Sequence, residues 1–197
     1  MNTEQYIKEI RHDILVKRRS LEAQQCSLAG LSVLNFLFAH PFFKQKKLTV
    51  ASYVSIRGEI ETKDINLNLQ RLGHTVALPK IGDPKHGLMD FYATNSLTDH
   101  EDLICGTYGI REPEGDPNLL ITPDRIDVVL LPLVAFDRHG HRLGMGGGFY
   151  DRFLKKLPVK CRLIGLAHDF QEVNLLPKQE WDMDLDEIIT PSRHLIF

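Results

Sequence analysis

Apolar residues recur at helical spacing along 4–38, at Ile7, Ile10, Ile14, Leu15, Leu21, Leu28, Leu31, Leu34 and Leu37. That spacing predicts two amphipathic helices with a break near Ser20. Ser20, followed by Glu22 and Gln24, is the expected cap of the second helix, with an ordinary polar face as the plainer reading. After Pro41 the pattern changes to short apolar runs at 48–54, 75–78, 126–134 and 161–167. The run DVVLLPLVAF is apolar on both faces, as expected for a strand covered by helices on both sides of a parallel sheet; Pro132 within it marks where the strand ends or bulges. Helical stretches predicted at 60–72 and 149–157 separate these runs, and the alternation predicts one α/β domain over 1–197 with an amino-terminal helical segment.

Two segments rich in turn formers, IGDPKHG (81–87) and GIREPEGDPN (109–118), read either as surface loops or as ligand loops at the carboxyl ends of strands. With 197 residues and 43% hydrophobic content the chain can bury a core unaided, so no obligate protein partner is expected. Twenty-four basic residues against 26 acidic ones leave a formal charge of -2, which does not imply a nucleic-acid partner and leaves room for a local basic pocket. Cys26, Cys105 and Cys161 form no CxxC pair and are expected to be small buried residues in a reducing compartment. No stretch reaches the roughly 18 to 20 apolar residues of a membrane span, and the start MNTEQYIKEIRHDILVKRR lacks the run of a signal peptide. A cytoplasmic protein without a membrane partner is expected.

The segment RHGHRLGMGGGFYDRFL, 138–154, carries the most chemistry. Gly144, Gly146, Gly147 and Gly148 precede a predicted helix, where four glycines are entropically costly unless the backbone needs unusual dihedrals or a close approach. Such a loop presents amide N–H groups to an anion, and Arg142 and Arg152 add charge for phosphate oxygens. It matches neither GxxxxGK[ST] nor a complete GxGxxG, so a structural turn beside a packed helix stays open as the alternative. Asp151 reads as a helix-terminal acid or, beside a polyphosphate, as part of a Mg²⁺ shell. Glu59, in YVSIRGEIET, reads as a capping or solvent-facing acid, or as a bidentate acceptor for the adjacent N–H groups of a heterocycle such as a pterin. The histidines form no metal motif: His139 and His141 read as an exposed turn or as a catalytic pair, and His168-Asp169 reads as structural.

The blocks KEIRHDILVKRRSL, YVSIRGEIET, LPKIGDPKHGLMDFY, YGIREPEG, IDVVLLPLVAFDRHGHRLGMGGGFYDRFL and LLPKQEWDMDLDEIIT occur in this order. In them the chain resembles the 5-formyltetrahydrofolate cyclo-ligase, or 5,10-methenyltetrahydrofolate synthetase, family almost from end to end. The resemblance implies a Rossmann-like, mostly parallel sheet covered by helices, with MgATP and 5-formyltetrahydrofolate as ligands. It implies phosphoryl transfer to the formyl oxygen followed by attack of N10, which closes the ring and expels phosphate. It places Arg142, Gly144, Gly146, Gly147 and Gly148 at the ATP phosphates, together with Lys8 and Arg11 of the first helix and Arg152. Asp151 and Asp182 are the implied Mg²⁺ ligands. Glu59 is the implied folate-recognition acid, with Met89, Tyr108, Phe149 and Tyr150 as walls of its pocket. The chain departs from the family's habit in having no lysine in the glycine loop, Ile7 four positions before Arg11, and Trp181-Asp182 where relatives often carry His-Asp. A folate-binding protein without turnover and a nucleotide-dependent transferase on a similar sheet are the alternatives.

Overall fold

The protein is described here by a computed structural model covering residues 2–94, 103–179 and 182–197. In chain order its main elements are α1 (Thr3–Arg19), α2 (Ala23–Ala39), α3 (Pro41–Gln45), β1 (Thr49–Ala51), α4 (Lys63–Arg71), β2 (Thr75–Asp83), β3 (Leu88–Ala93), β4 (Leu103–Cys105), β5 (Arg111–Pro113), β6 (Leu120–Ile121), β7 (Val128–Pro132), β8 (Ala135–Phe136), β9 (Arg142–Leu143), α5 (Phe149–Leu154), β10 (Arg162–Leu166), β11 (Glu187–Ile189) and β12 (His194–Ile196).

Eight strands form one sheet in the order β12-β11-β10-β7-β1-β2-β3-β6. Pairing is parallel from β11 through β2 and antiparallel at both margins, so the mostly parallel sheet expected for the α/β class is present. The sequence pattern accounts for its centre. Val128 and Leu130 enter the apolar cluster shared with α2 and α4, while Val129 and Leu131 enter the cluster on the opposite face with Phe153 and Leu154 of α5. All four strand residues are fully buried, which is the period-two consequence of a strand covered on both sides. β7 ends at Pro132, as the proline requires.

The break between α1 and α2 falls at Ser20, but Ser20 terminates α1. The cap of α2 is Glu22, in a reciprocal capping box with Gln25. The turn-rich segments are also partly strand: 81–83 closes β2, and 111–113 is β5, paired with β4 as a small hairpin. Only Cys161 among the cysteines is buried, its thiol pushed up to about 12 chiefly by desolvation; Cys105 is exposed and Cys26 half-buried. No helix among the described residues is long and apolar enough to cross a membrane.

Asp137 fixes the short hairpin β8–β9. Its carboxylate is fully buried and accepts from the amides of His139 (2.9 Å), His141 (3.2 Å) and Leu176 (2.9 Å) and pairs with the His141 ring at 2.9 Å. Burial alone raises its pKa, but those bonds outweigh it and hold the group below its ordinary value of 3.8. The native carboxylate is therefore favoured above pH 3.8, and its stabilisation is lost as pH falls through the lower folded value. Asp137→Ala removes the acceptor shared by three amides, that of Leu176 buried, and is expected to cost about 3 kcal/mol, read from the urea midpoint at neutral pH, with the deficit shrinking on acidification.

Candidate active site

The strand order reverses between β1 and β7: β2 follows on one side and β10 on the other. In an open α/β sheet the carboxyl ends at such a switch leave a crevice. A cleft of about 410 Å³ lies there, lined by Tyr53 and Val54 after β1, Ile81 of β2 and Leu133 after β7, with the glycine loop and the start of α5 beside them.

The loop 144–148 joins β9 to α5. Gly146 and Gly148 have φ of 95° and 67°, a left-handed backbone that favours glycine. A Cβ on Gly147 would stand 2.9 Å from the Phe149 ring, whereas one on Gly144 would meet only the Arg142 guanidinium at 3.8 Å. Three of the glycines are thus demanded by local geometry, and Gly144 leaves backbone open to the cleft. Arg11 reaches this loop from α1, its Nε donating to the Gly144 carbonyl at 2.9 Å. Arg142, whose side chain is 5% exposed, forms an ion pair with Asp151, and its Nε has no protein partner. A buried donor with one hydrogen bond unmade, flanked by bare backbone, is suited to an anion.

Glu59 lines the same cleft at the end of a turn in which its amide donates to the Ile56 carbonyl at 3.0 Å. Both central residues are left-handed, Arg57 at φ 50° and Gly58 at φ 72°. A Cβ on Gly58 would fall 2.3 Å from the Arg18 carbonyl. Gly58→Ala is therefore expected to destabilise by about 2 kcal/mol or more, visible as a lower thermal midpoint, because strain and clash add. Burial pushes the Glu59 carboxyl up, opposed first by Arg18 and then by the Ile56 amide, which donates to Oε2 at 3.1 Å. Tyr150 answers to both sides of the cleft: burial and the Glu59 carboxylate push its phenol up, while Arg142 acts the other way. Met89, Tyr108 and Phe149 complete the walls, with Tyr108 edge-on to Phe149 at 6.4 Å between centroids.

A family model described as the 5-formyltetrahydrofolate cyclo-ligase family matches residues 3–191. The chain belongs to this family. It is 36% identical over 178 residues to the 5-formyltetrahydrofolate cyclo-ligase of Escherichia coli K12, covering 90% of this chain and 96% of that one. It is 36% identical over 191 residues to the Haemophilus influenzae enzyme of the same name, covering 96% and 99%. Its fold superposes with a TM-score of 0.82 on the NMR structure of Aquifex aeolicus 5,10-methenyltetrahydrofolate synthetase, at 30% identity and with 96% of this chain and 92% of that one covered.

Within this cyclo-ligase fold, Arg142, Gly144, Gly146, Gly147, Gly148, Asp151, Glu59, Met89, Tyr108, Phe149 and Tyr150 all line one cleft. Four expected site residues do not, and of these Arg11 reaches only the loop itself, through the Gly144 carbonyl. Lys8 pairs with Glu4 at 3.0 Å on the exposed flank of α1, turned from the stripe that carries Ile10, Arg11 and Ile14. Arg152 braces the glycine loop from outside, its Nη1 donating to the Gly147 carbonyl at 3.0 Å. Asp182 spends its carboxylate on the Gln179 amide at 2.9 Å and is not brought to the cleft lining; its neighbour Trp181 lies outside the described residues. Sequence reasoning missed Arg57 and Arg111 at the cleft and the buried Glu112, which pairs with Lys80 at 3.2 Å. It also missed Arg18, whose only signal was an unremarkable run of basic residues.

Among the described residues, one cluster has metal-ligand composition: His40, Glu187 and His194. Glu187 opens β11, so the cluster is at the amino-terminal margin of the sheet, away from the cleft. The Phe42 amide donates to His40 Nδ1 at 3.1 Å, which keeps the ring proton on Nε2, facing Glu187 at 3.2 Å. That nitrogen has no lone pair to offer, and Arg162 pairs with the same carboxylate. The cluster is a hydrogen-bonded tie between α2 and the sheet margin.

Proposed function

We propose that this chain catalyses the ATP-dependent conversion of 5-formyltetrahydrofolate to 5,10-methenyltetrahydrofolate. The observation that carries this reading is the convergence of a buried acid, a glycine loop and a partly unsatisfied arginine on one cleft, in a chain that matches the cyclo-ligase family from end to end.

The formyl group on N5 is an amide and a poor electrophile. Its oxygen attacks the terminal phosphorus of ATP, ADP departs, and the oxygen becomes part of a phosphate leaving group. The N10 lone pair then attacks the formyl carbon, N10 loses its proton, and the carbon–oxygen bond breaks to release phosphate. No protein nucleophile is needed, so the protein's task is to position N10 and to offset phosphate charge.

Arg142 and the amides of 144–148 receive the phosphates, and Arg11 holds the loop in shape through Gly144. Glu59 accepts from the adjacent N–H groups of the pterin, while Tyr150, Phe149, Tyr108 and Met89 confine its plane. Asp151 is the cleft carboxylate beside the loop, 31% exposed, and one carboxylate plus phosphate oxygens fits the habit of Mg²⁺. Asp151 would hold a Mg²⁺ there, which would supply charge stabilisation to the phosphates; Arg142, already paired with Asp151, shares that task. Residues 1–197 act as one catalytic unit, since α1 contributes Arg11 to the glycine loop. Three free thiols suit the cytoplasm.

The test is to incubate purified protein with 5-formyltetrahydrofolate and MgATP and to follow methenyl product and ADP together. The expected result is equimolar formation of both. Folate binding without ATP-dependent product, with an active relative as control, makes the chain a binding protein instead.

A further inference from the structure

We propose that Arg18 is a positioning residue that holds the Glu59 carboxylate charged and aimed into the cleft. The proposal rests on the reading of Glu59 as the acid that recognises the reduced folate.

Arg18 is 2% exposed in the last turn of α1, further along the stripe of the buried Ile10 and Ile14. Its guanidinium donates to the carbonyls of Ile56 (3.0 Å), Arg57 (3.1 Å) and Leu133 (3.5 Å) and pairs with Glu59 Oε1 at 3.2 Å. Every one of these partners belongs to a segment that lines the cleft, after β1 or after β7. A planar fork with five N–H donors can serve these four acceptors at once, whereas a lysine has only three donors on one nitrogen. The turn it grips is the one with consecutive left-handed residues at Arg57 and Gly58, a backbone that persists only when its surroundings enforce it. The same turn is tied from a third direction, by His168 Nε2 at 3.1 Å from the Gly58 carbonyl.

The charged and titratable groups around Glu59 are Arg18 from α1, Arg57 in its own turn, Tyr53 after β1 and Tyr150 from α5. His168, which touches the turn through Gly58, is held towards its neutral form by burial. Burial pushes the Glu59 carboxyl up, and Arg18 is the foremost influence in the other direction. Removing the cation leaves burial opposed only by the Ile56 amide and Arg57, so Glu59 then keeps its proton to higher pH. A protonated Glu59 loses part of its capacity to accept from the pterin, and folate recognition fails on the acid side.

The experiment measures kcat/KM for 5-formyltetrahydrofolate and for ATP across pH 5–9 in wild type, Arg18→Gln, Arg18→Lys and Glu59→Gln. Arg18→Gln is expected to move the acid limb of the folate profile upward by about one pH unit, with the ATP KM unchanged. Arg18→Lys restores the limb because it keeps the charge, but loses the fork and is expected to raise the folate KM about 10-fold. An acid limb in Arg18→Gln identical to wild type overturns the proposal. If Arg18→Gln does not fold, an Arg18→Lys protein with wild-type folate KM overturns it. Glu59→Gln separates the two layers: loss of the acid limb supports the role of Glu59, whereas unchanged folate kinetics in that variant remove the underlying reading, whatever Arg18 does.

Discussion

Asp151→Asn is expected to lower MgATP-dependent turnover by about 100-fold or more, the scale seen when a charge that organises a metal site is lost. Asparagine keeps the size of the side chain and an oxygen that can still accept from Arg142, so the fold should survive the exchange. What disappears is the negative charge that a hard cation prefers. The defect should therefore appear in the Mg²⁺ dependence more than in folate affinity. Titrating Mg²⁺ at fixed ATP and folate gives a midpoint displaced to higher concentration together with a lower plateau. A folded variant with a wild-type Mg²⁺ response means that Asp151 serves only to tether Arg142.

Glu59→Gln is expected to reduce kcat/KM for 5-formyltetrahydrofolate by about 10- to 100-fold while the ATP KM stays within about 2-fold, because a charged acceptor is exchanged for a neutral one of the same shape. The neutral side chain retains an oxygen for the Ile56 amide and so preserves the turn. Varying each substrate at saturation of the other distinguishes the outcomes. Parallel losses for both substrates would point to a disturbed cleft instead of a lost folate contact.

The parts of this architecture that could be read from the sequence are those encoded locally. The double-faced apolarity of 126–134 identified the central strand, Pro132 located its end, and four glycines before an aromatic helix located the loop that borders the cleft. The antiparallel margins were not legible, since β3, β6 and β12 are short or mixed in pattern and are strands only because a neighbour offers hydrogen bonds. Arg18 and Lys8 show the same limit in the site. Both are basic residues of one helix, and helical phase relative to the sheet decides that Arg18 is buried against the cleft loops while Lys8 stays with Glu4. The local bond of Asp182 was hidden for a related reason: a carboxylate in an acidic segment can cap its own turn, and here it does.

If ATP activates the formyl oxygen, that oxygen must leave with the phosphate, and the most direct measurement follows it. 5-Formyltetrahydrofolate labelled with ¹⁸O in the formyl group is converted with unlabelled MgATP, and the released phosphate is analysed by mass spectrometry. One ¹⁸O per phosphate, formed in step with methenyl product, is the predicted result, because the bond that breaks last joins that oxygen to carbon. Phosphate without label, alongside methenyl product, would contradict the claim.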